Sequence, residues 1–354
     1  MSEKVLMKGN EAIAEAAIRS GCRHFFGYPI TPQTELSAYM AKKMPKIGGV
    51  FLQAESEVAA INMVYGAAGA GARAMTSSSS PGISLKAEGI SYIAGADLPC
   101  VIVDIVRGGP GLGGIQPAQS DYFQVTKGGG HGDYHLIVYA PNSVQEIVSL
   151  TADAFNKSEE YRVTAMILGD GTLGQMMEPV DFDSVPDPIE ANKDWATTGT
   201  ELKREHNIVN SLYLSPDALE KTIIERQKRY DIIIENEQRY ESHDIEDADI
   251  IVTAYGTTSR VVETAVKTVR EEGLKVGVIR PITLWPFPEK VFSKAADTAK
   301  AFLCVEMSMG QMVEDVKLSV NGKAPVHFFG RTGGIIPTPQ EIAEEIRKIA
   351  GGLK

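Results

Sequence analysis

Cysteine is scarce. Three of 354 residues are cysteine, Cys22, Cys100 and Cys304, and no two form a CxxC pair. That argues against a disulfide framework, and against a structural zinc or an iron–sulfur cluster held by this chain alone. Basic charge is also short: 35 Lys and Arg against 46 Asp and Glu leave a net charge of −11. Nucleic acid and anionic membrane surfaces are therefore poor candidates for partners. Long apolar runs are missing, since no stretch approaches the ~18 residues of a membrane span. The N-terminal MSEKVLMKGNEAIAEAA lacks the basic start and apolar run of a secretory signal. A cytoplasmic protein is the expectation. Cys100 and Cys304 stand in apolar runs and are expected in the core, whereas Cys22 is less marked.

What is present is an alternation of strand and helix. With 43% hydrophobic residues over 354, two domains are expected. Asn10 reads as the cap of a helix through Ile18, ended by Gly21. His24 to Gly27 reads as a strand. In GYPITP, Pro29 fixes the strand end, and Thr31 and Pro32 read as an N-cap followed by proline at the first helical position. A small-residue helix (58–71) and the strand ARAMT lead to TSSSSPG (76–82) and another helix. PCVIVDIV (99–106) is the kind of apolar strand a parallel sheet buries. It ends in Arg107 and RGGPGLGG. A helix over 143–156 precedes the strand VTAMIL. Residues 1–185 are thus expected to form a doubly wound α/β domain. From residue 183 the chain turns polar and proline-bearing. The segment 186–247 reads as a linker with a long helix opened by Ser215-Pro216-Asp217, carrying Leu219, Ile223, Tyr230 and Ile234 near helical spacing. Alternation resumes over 248–354, giving a second, smaller α/β domain with short apolar strands.

Open parallel sheets bind ligands beyond the carboxyl ends of their strands. Three such ends, GYPITP, TSSSSPG and RGGPGLGG, are small, polar or flexible. Thr31 offers a hydroxyl beside free helix-end amides, and Arg107 a charged fork; together they describe a seat for a small organic acid. A plain cap for Thr31 and a structural ion pair for Arg107 are the blander readings. Glu55 and Glu57 open the small-residue helix, where one can simply favour the positive helix end and the other can reach a cofactor.

Other motifs carry less. Gly109–Gly114 satisfies GxGxxG after a strand, but IQPAQSD follows where a helix is needed, which speaks against dinucleotide binding. Gly169-Asp170-Gly171 matches the start of a thiamine diphosphate–magnesium motif, but the paired asparagines expected downstream are missing. His131 and His135 follow three glycines and lack a third ligand. Ser77–Ser80 lack a GxSxG elbow and read as a polar turn capping the next helix.

The stretches GNEAIAEAAIRSGCRHFFGYPITPQTE, QAESEVAAINMVYGAAGAGARAMTSSSSPG, DIVRGGPGLG and YAPNSVQE resemble the α subunit, or pyrimidine-type domain, of the 2-oxoacid:ferredoxin oxidoreductases. IRPITLWPFP is similar to that family's second domain, which is like the C-terminal domain of transketolase. The likeness covers nearly the whole chain. It looks nearest to the four-subunit branch using 3-methyl-2-oxobutanoate, with 2-oxoglutarate as the alternative substrate.

The resemblance implies oxidative decarboxylation of a 2-oxoacid with coenzyme A, giving acyl-CoA, CO₂ and reduced ferredoxin. It assigns Glu57, rather than Glu55, to the aminopyrimidine ring of thiamine diphosphate, and Thr31 and Arg107 to the substrate carboxylate. It sets Tyr28 and Pro29 beside the cofactor and Ser79 beside the substrate. It implies partners: a β subunit carrying the diphosphate and Mg²⁺ site, iron–sulfur and γ-type subunits, and ferredoxin. No nucleic acid or membrane partner is implied. A non-catalytic scaffold subunit of the same fold is the rival reading.

Overall fold

The computed structural model describes residues 4–353. Its first part runs β1 (Val5–Lys8), α1 (Gly9–Arg19), β2 (His24–Gly27), α2 (Thr34–Lys43), β3 (Val50–Gln53), α3 (Glu57–Gly69), β4 (Ala74–Ser78) and α4 (Pro81–Gly95). It continues through β5 (Cys100–Val106), α5 (Tyr122–Thr126), β6 (Ile137–Tyr139), α6 (Val144–Tyr161), β7 (Thr164–Asp170), α7 (Gly171–Gln175) and β8 (Met177–Val180). After a long connection come α8 (Pro216–Asn236), β9 (Tyr240–His243), β10 (Ile250–Thr253), α9 (Gly256–Glu271), β11 (Val276–Pro281), β12 (Thr283–Trp285) and α10 (Glu289–Ala295). The chain closes with β13 (Ala301–Glu306), α11 (Met312–Val320), β14 (Val326–Gly330) and α12 (Pro339–Gly352).

The larger sheet has seven strands in the order β12-β6-β7-β5-β4-β2-β3, all parallel except β12. Every residue of β5 is buried, as a strand covered on both faces requires. Helices α1, α2 and α6 cover one face through Ile13, Met40 and Phe155. Helices α3 and α4 cover the other through Ile61, Val64 and Ile90. The second sheet orders β14-β13-β10-β11-β9, parallel except β9. One buried cluster runs from Ile61 and Ile90 through Tyr122 to Ile251 and Phe302, so the two sheets share a core. Strand β12 crosses from the later part of the chain to pair with β6, and β9, inside the stretch read as a linker, edges the second sheet.

Several local readings are corrected. Lys8, not Asn10, caps α1. Asn10 is buried as the second residue of the helix, and its Nδ2 donates to the Pro32 carbonyl at 2.8 Å and to Glu35 Oε2 at 3.1 Å. Thr31 is not an N-cap either: α2 starts at Thr34 with Gln33 at its cap position. The amide-rich helix end expected at Thr31 is therefore two residues further on. Ser77 and Ser78 belong to β4 and do not cap α4. Helix α8 buries Arg226, Tyr230 and Ile233, while Leu219 and Ile234 face outward. Arg226 pairs with Asp97 at 2.8 Å, docking this helix on the first domain. All three cysteines are buried. Burial pushes the thiols of Cys22 and Cys100 up to about 12 and that of Cys304 well above its ordinary value, as expected for inert core thiols. No helix among the described residues is long and apolar enough to cross a membrane.

Candidate active site

The ends of β2, β4 and β5 lie side by side because these strands are adjacent and parallel. The segment after β2 is pinned from three directions. Asn10 holds the Pro32 carbonyl, Gln33 Nε2 donates to the Tyr28 carbonyl at 3.3 Å, and the Ser77 hydroxyl donates to Gln33 Oε1 at 2.6 Å. Thr31 stays exposed, Tyr28 half-buried and Pro29 exposed.

Arg107 follows β5 and is 7% exposed. Its Nη1 donates to the Thr31 carbonyl at 3.0 Å and its Nη2 to the Leu112 carbonyl at 3.2 Å. Its backbone N–H donates to Ser80 Oγ at 3.1 Å. The guanidinium Nε has no partner, and neither do the buried hydroxyls of Ser78 and Ser79. Buried polar atoms without partners are uncommon and need an explanation.

Glu57 is the first residue of α3, placed there by Ser56, whose Oγ accepts the Ala59 N–H at 3.1 Å. Glu57 is 5% exposed, whereas Glu55 is exposed. Among the described residues its carboxylate accepts no hydrogen bond and closes no ion pair. Gly82 gives it room: a Cβ there would stand 2.9 Å from Glu57 Oε1 and 2.0 Å from Ser78 Oγ. A side chain at 82 would fill this cradle.

Three further ionisable residues complete the cluster. Lys86 on α4 is fully buried and donates to Thr76 Oγ1 at 2.8 Å and to the Ser77 carbonyl at 2.9 Å. Asp104 of β5 accepts the Ser80 N–H at 3.1 Å, and Asp121 accepts the Ser80 hydroxyl at 2.6 Å. Burial first, and then its neighbour Asp121, hold the Asp104 carboxyl well above the usual carboxylate range; burial also raises Asp121. Ser80, between them, adopts φ 23°. That is an unfavourable backbone for a serine, and such strain concentrates at functional sites.

Two clefts open at these strand ends, one reaching Ser80 and the other Thr31, and neither is lined by Arg107 or Glu57. One, of about 730 Å³, is lined by Ser80, Pro110, Asp121, Met309 and Gln311. The other, of about 430 Å³, is lined by Thr31, Pro32, Ile115, Pro117 and Ile336. Among the described residues no lysine, arginine or histidine lines either. Met309, on the larger cleft, and Leu112, whose carbonyl accepts from Arg107, are 76% and 82% exposed.

The second domain braces the segment after Arg107. Gln119 Nε2 donates to the Tyr255 carbonyl at 2.8 Å; its Oε1 accepts the Thr258 hydroxyl at 2.9 Å and the Met307 N–H at 3.0 Å. Tyr122 bonds Asp315. Arg280 forks onto Glu146 at 2.9 and 2.7 Å. Glu306 accepts the N–H groups of Met312 and Val313 at 3.1 and 3.0 Å, so α11 already holds a carboxylate at its positive end.

The remaining motifs resolve into structure. Asp170 of the GDG triplet spends Oδ1 on the N–H groups of Thr172 and Leu173 at 2.8 and 3.1 Å and Oδ2 on the Thr257 hydroxyl. His135 stacks on Trp285 with ring centroids 4.5 Å apart, while His131 meets the edge of Tyr92. Among the described residues no group of three His, Cys, Asp or Glu could hold a metal. Lys86, Asp104, Asp121 and Gln119 were not singled out from the sequence. The aspartate inside CVIVDIV and the lysine inside a small-residue helix were the available signals.

Residues 15–253 match the thiamine diphosphate-binding domain of pyruvate flavodoxin/ferredoxin oxidoreductases, and residues 248–342 match core domain II of pyruvate:ferredoxin oxidoreductase. The ketoisovalerate oxidoreductase subunit VorB of Methanothermobacter marburgensis is 49% identical over 98% of both chains. The 2-oxoglutarate synthase subunit KorA of Methanothermobacter thermautotrophicus is 39% identical over 99% of this chain and 100% of that one. A solved 2-oxoglutarate:ferredoxin oxidoreductase from Magnetococcus marinus, with 2-oxoglutarate, coenzyme A and succinyl-CoA bound, aligns with a TM-score of 0.89 at 29% identity. That alignment covers 98% of this chain but 65% of the other. A split-gene transketolase, 13% identical over 97% of each chain, shares the fold with a TM-score of 0.60.

Proposed function

Since this chain belongs to the pyruvate flavodoxin/ferredoxin oxidoreductase family, we propose that it supplies the pyrimidine-facing half of a thiamine diphosphate site in a multi-subunit 2-oxoacid:ferredoxin oxidoreductase of the cytoplasm. The substrate is a branched-chain 2-oxoacid, 3-methyl-2-oxobutanoate, converted with coenzyme A to acyl-CoA, CO₂ and reduced ferredoxin. One observation carries the reading: a buried, unpartnered carboxylate on Glu57 shares a site with the unpartnered Arg107 Nε and the orphaned hydroxyls of Ser78 and Ser79. These are the groups an aminopyrimidine ring and a 2-oxoacid carboxylate would satisfy.

Thiamine diphosphate, when bound, supplies the nucleophilic carbon and the electron sink. This chain's residues place protons and charge around it. Glu57, with Tyr28 and Pro29 on the neighbouring turn, holds the proton at the ring nitrogen of the aminopyrimidine, which sets that ring up as a base. Arg107 and the Thr31 hydroxyl orient the substrate carboxylate, with Ser79 beside it. Burial of Arg107 and Glu57 strengthens both interactions by excluding water.

The diphosphate, its Mg²⁺ and the iron–sulfur clusters are assigned to partner subunits, a β subunit and iron–sulfur and γ-type subunits. The fully committed Asp170 and the lack of clustered cysteines support that division. The exposed side chains of Leu112 and Met309 are where the β subunit would close on this chain. The branched-chain choice is supported by the 49% identity to the ketoisovalerate oxidoreductase subunit VorB over 98% of both chains. The likeness to KorA keeps 2-oxoglutarate as the second reading.

The test is to co-purify the chain with its native partners and assay a panel of 2-oxoacids with coenzyme A and ferredoxin or a viologen dye. The expected result is the highest kcat/KM with 3-methyl-2-oxobutanoate. A preference for 2-oxoglutarate overturns the substrate reading, and no turnover with any 2-oxoacid favours the scaffold.

A further inference from the structure

Lys86 is a costly residue where it stands. Lysine is almost never fully buried unless paired, yet Lys86 is 0% exposed and closes no ion pair among the described residues. Its Nζ spends two of three donors on Thr76 Oγ1 at 2.8 Å and the Ser77 carbonyl at 2.9 Å. A leucine or methionine would fill the same volume without the desolvation cost. The acidic groups that reach it come from two other elements: Glu57 of α3 and Asp104 of β5. The geometry accounts for that reach. Gly82 and Lys86 are four apart on α4 and share a face, and the Glu57 carboxylate lies against Gly82.

We propose that Lys86 is a positioning residue of the cofactor site: anchored on Thr76 and Ser77, it fixes the serine end of β4 and supplies a positive charge facing Glu57. The inference rests on the reading of Glu57 given above. With Lys86 charged, its ammonium backs the carboxyl group that Glu57 turns to the N–H of the cofactor ring. With Lys86 neutral, that support is gone. Burial pulls the ammonium down to about 7, against the opposing pull of Glu57 and Asp104, so the change falls near neutral pH. Asp121, coupled to Asp104, and Arg107 after β5 are the other charged groups of the cluster.

The test is calorimetric titration of thiamine diphosphate with Mg²⁺ into the cofactor-stripped complex between about pH 6 and 8.5, a range that brackets the change. In the wild type, log Kd is expected to break near neutrality, with weaker binding above the break. In Lys86→Met, binding is expected to be about tenfold weaker below the break, and the break itself is absent. A Lys86→Met complex that keeps both affinity and break overturns the proposal. So does one that only melts earlier, because a lysine that merely packs would not move the pH profile. If the variant fails to assemble, a wild-type titration without a break overturns it alone. Glu57→Gln, titrated in parallel, separates the premises: wild-type affinity and pH profile in that variant defeat the reading of Glu57 itself.

Discussion

Arg107 Nη1 donates to the backbone carbonyl of Thr31 at 3.0 Å, joining two strand ends 76 positions apart. The same contact fixes the guanidinium plane while leaving Nε without a partner. A rigid fork with one free donor is suited to a carboxylate, and its energetic weight can be measured.

Arg107→Lys keeps the charge but loses the planar fork. Charge-assisted hydrogen bonds contribute about 1.5–3 kcal/mol, so kcat/KM for the 2-oxoacid is expected to fall roughly 10- to 100-fold. The loss should appear mainly in KM, with the complex still assembled. Steady-state kinetics across a 2-oxoacid concentration series checks this; an unchanged KM would leave Arg107 as a purely structural residue.

Gly82→Ala tests the cradle. The added Cβ would come 2.0 Å from Ser78 Oγ and 2.9 Å from Glu57 Oε1. Overpacking of this kind costs about 1–3 kcal/mol. The variant is expected to melt earlier and to bind thiamine diphosphate more weakly, read by thermal unfolding with and without cofactor. A normal cofactor-induced shift in Tm would mean that Glu57 and α4 do not frame the ring.

The Asp104 carboxyl is held well above its ordinary range. Above the unfolded pKa of about 3.9, the native state keeps a proton that the unfolded state has lost. Stability from this group therefore falls as pH rises from that value toward the native pKa. Asp104→Asn removes the slope. The Tm of the variant relative to wild type is expected to grow more favourable from about pH 4 to pH 7, measured by calorimetry at several pH values. A difference in Tm that stays flat across that window would contradict the assignment.

Strand and helix order was legible where the chemistry is local. CVIVDIV could only be a doubly covered strand, and Gly27 followed by Pro29 could only end one. Glu55 and Glu57 were not separable from the residues alone; the family resemblance chose Glu57, and the structure buries it while leaving Glu55 exposed. What was not legible depends on contacts distant in sequence. Asn10 looks like a cap until Pro32, 22 positions away, is seen to claim its amide. Thr31 looks like a helix start until Gln33, held by Ser77, takes that place. Strand β12 has no signal of its own, since it exists by pairing with β6. Lys86 and Asp104 were hidden for the opposite reason. Neither carries a motif, and only the fold brings Lys86 within reach of both Glu57 and Asp104.

The most direct measurement is turnover of the co-purified complex carrying Glu57→Gln, with 3-methyl-2-oxobutanoate, coenzyme A and a viologen acceptor. Glutamine keeps the shape but removes the ionisable carboxylate. General acid–base groups contribute about 10²- to 10⁴-fold, and a loss of kcat in that range with subunit composition intact is the predicted result. Wild-type kcat in an intact complex would contradict it, leaving this chain a scaffold.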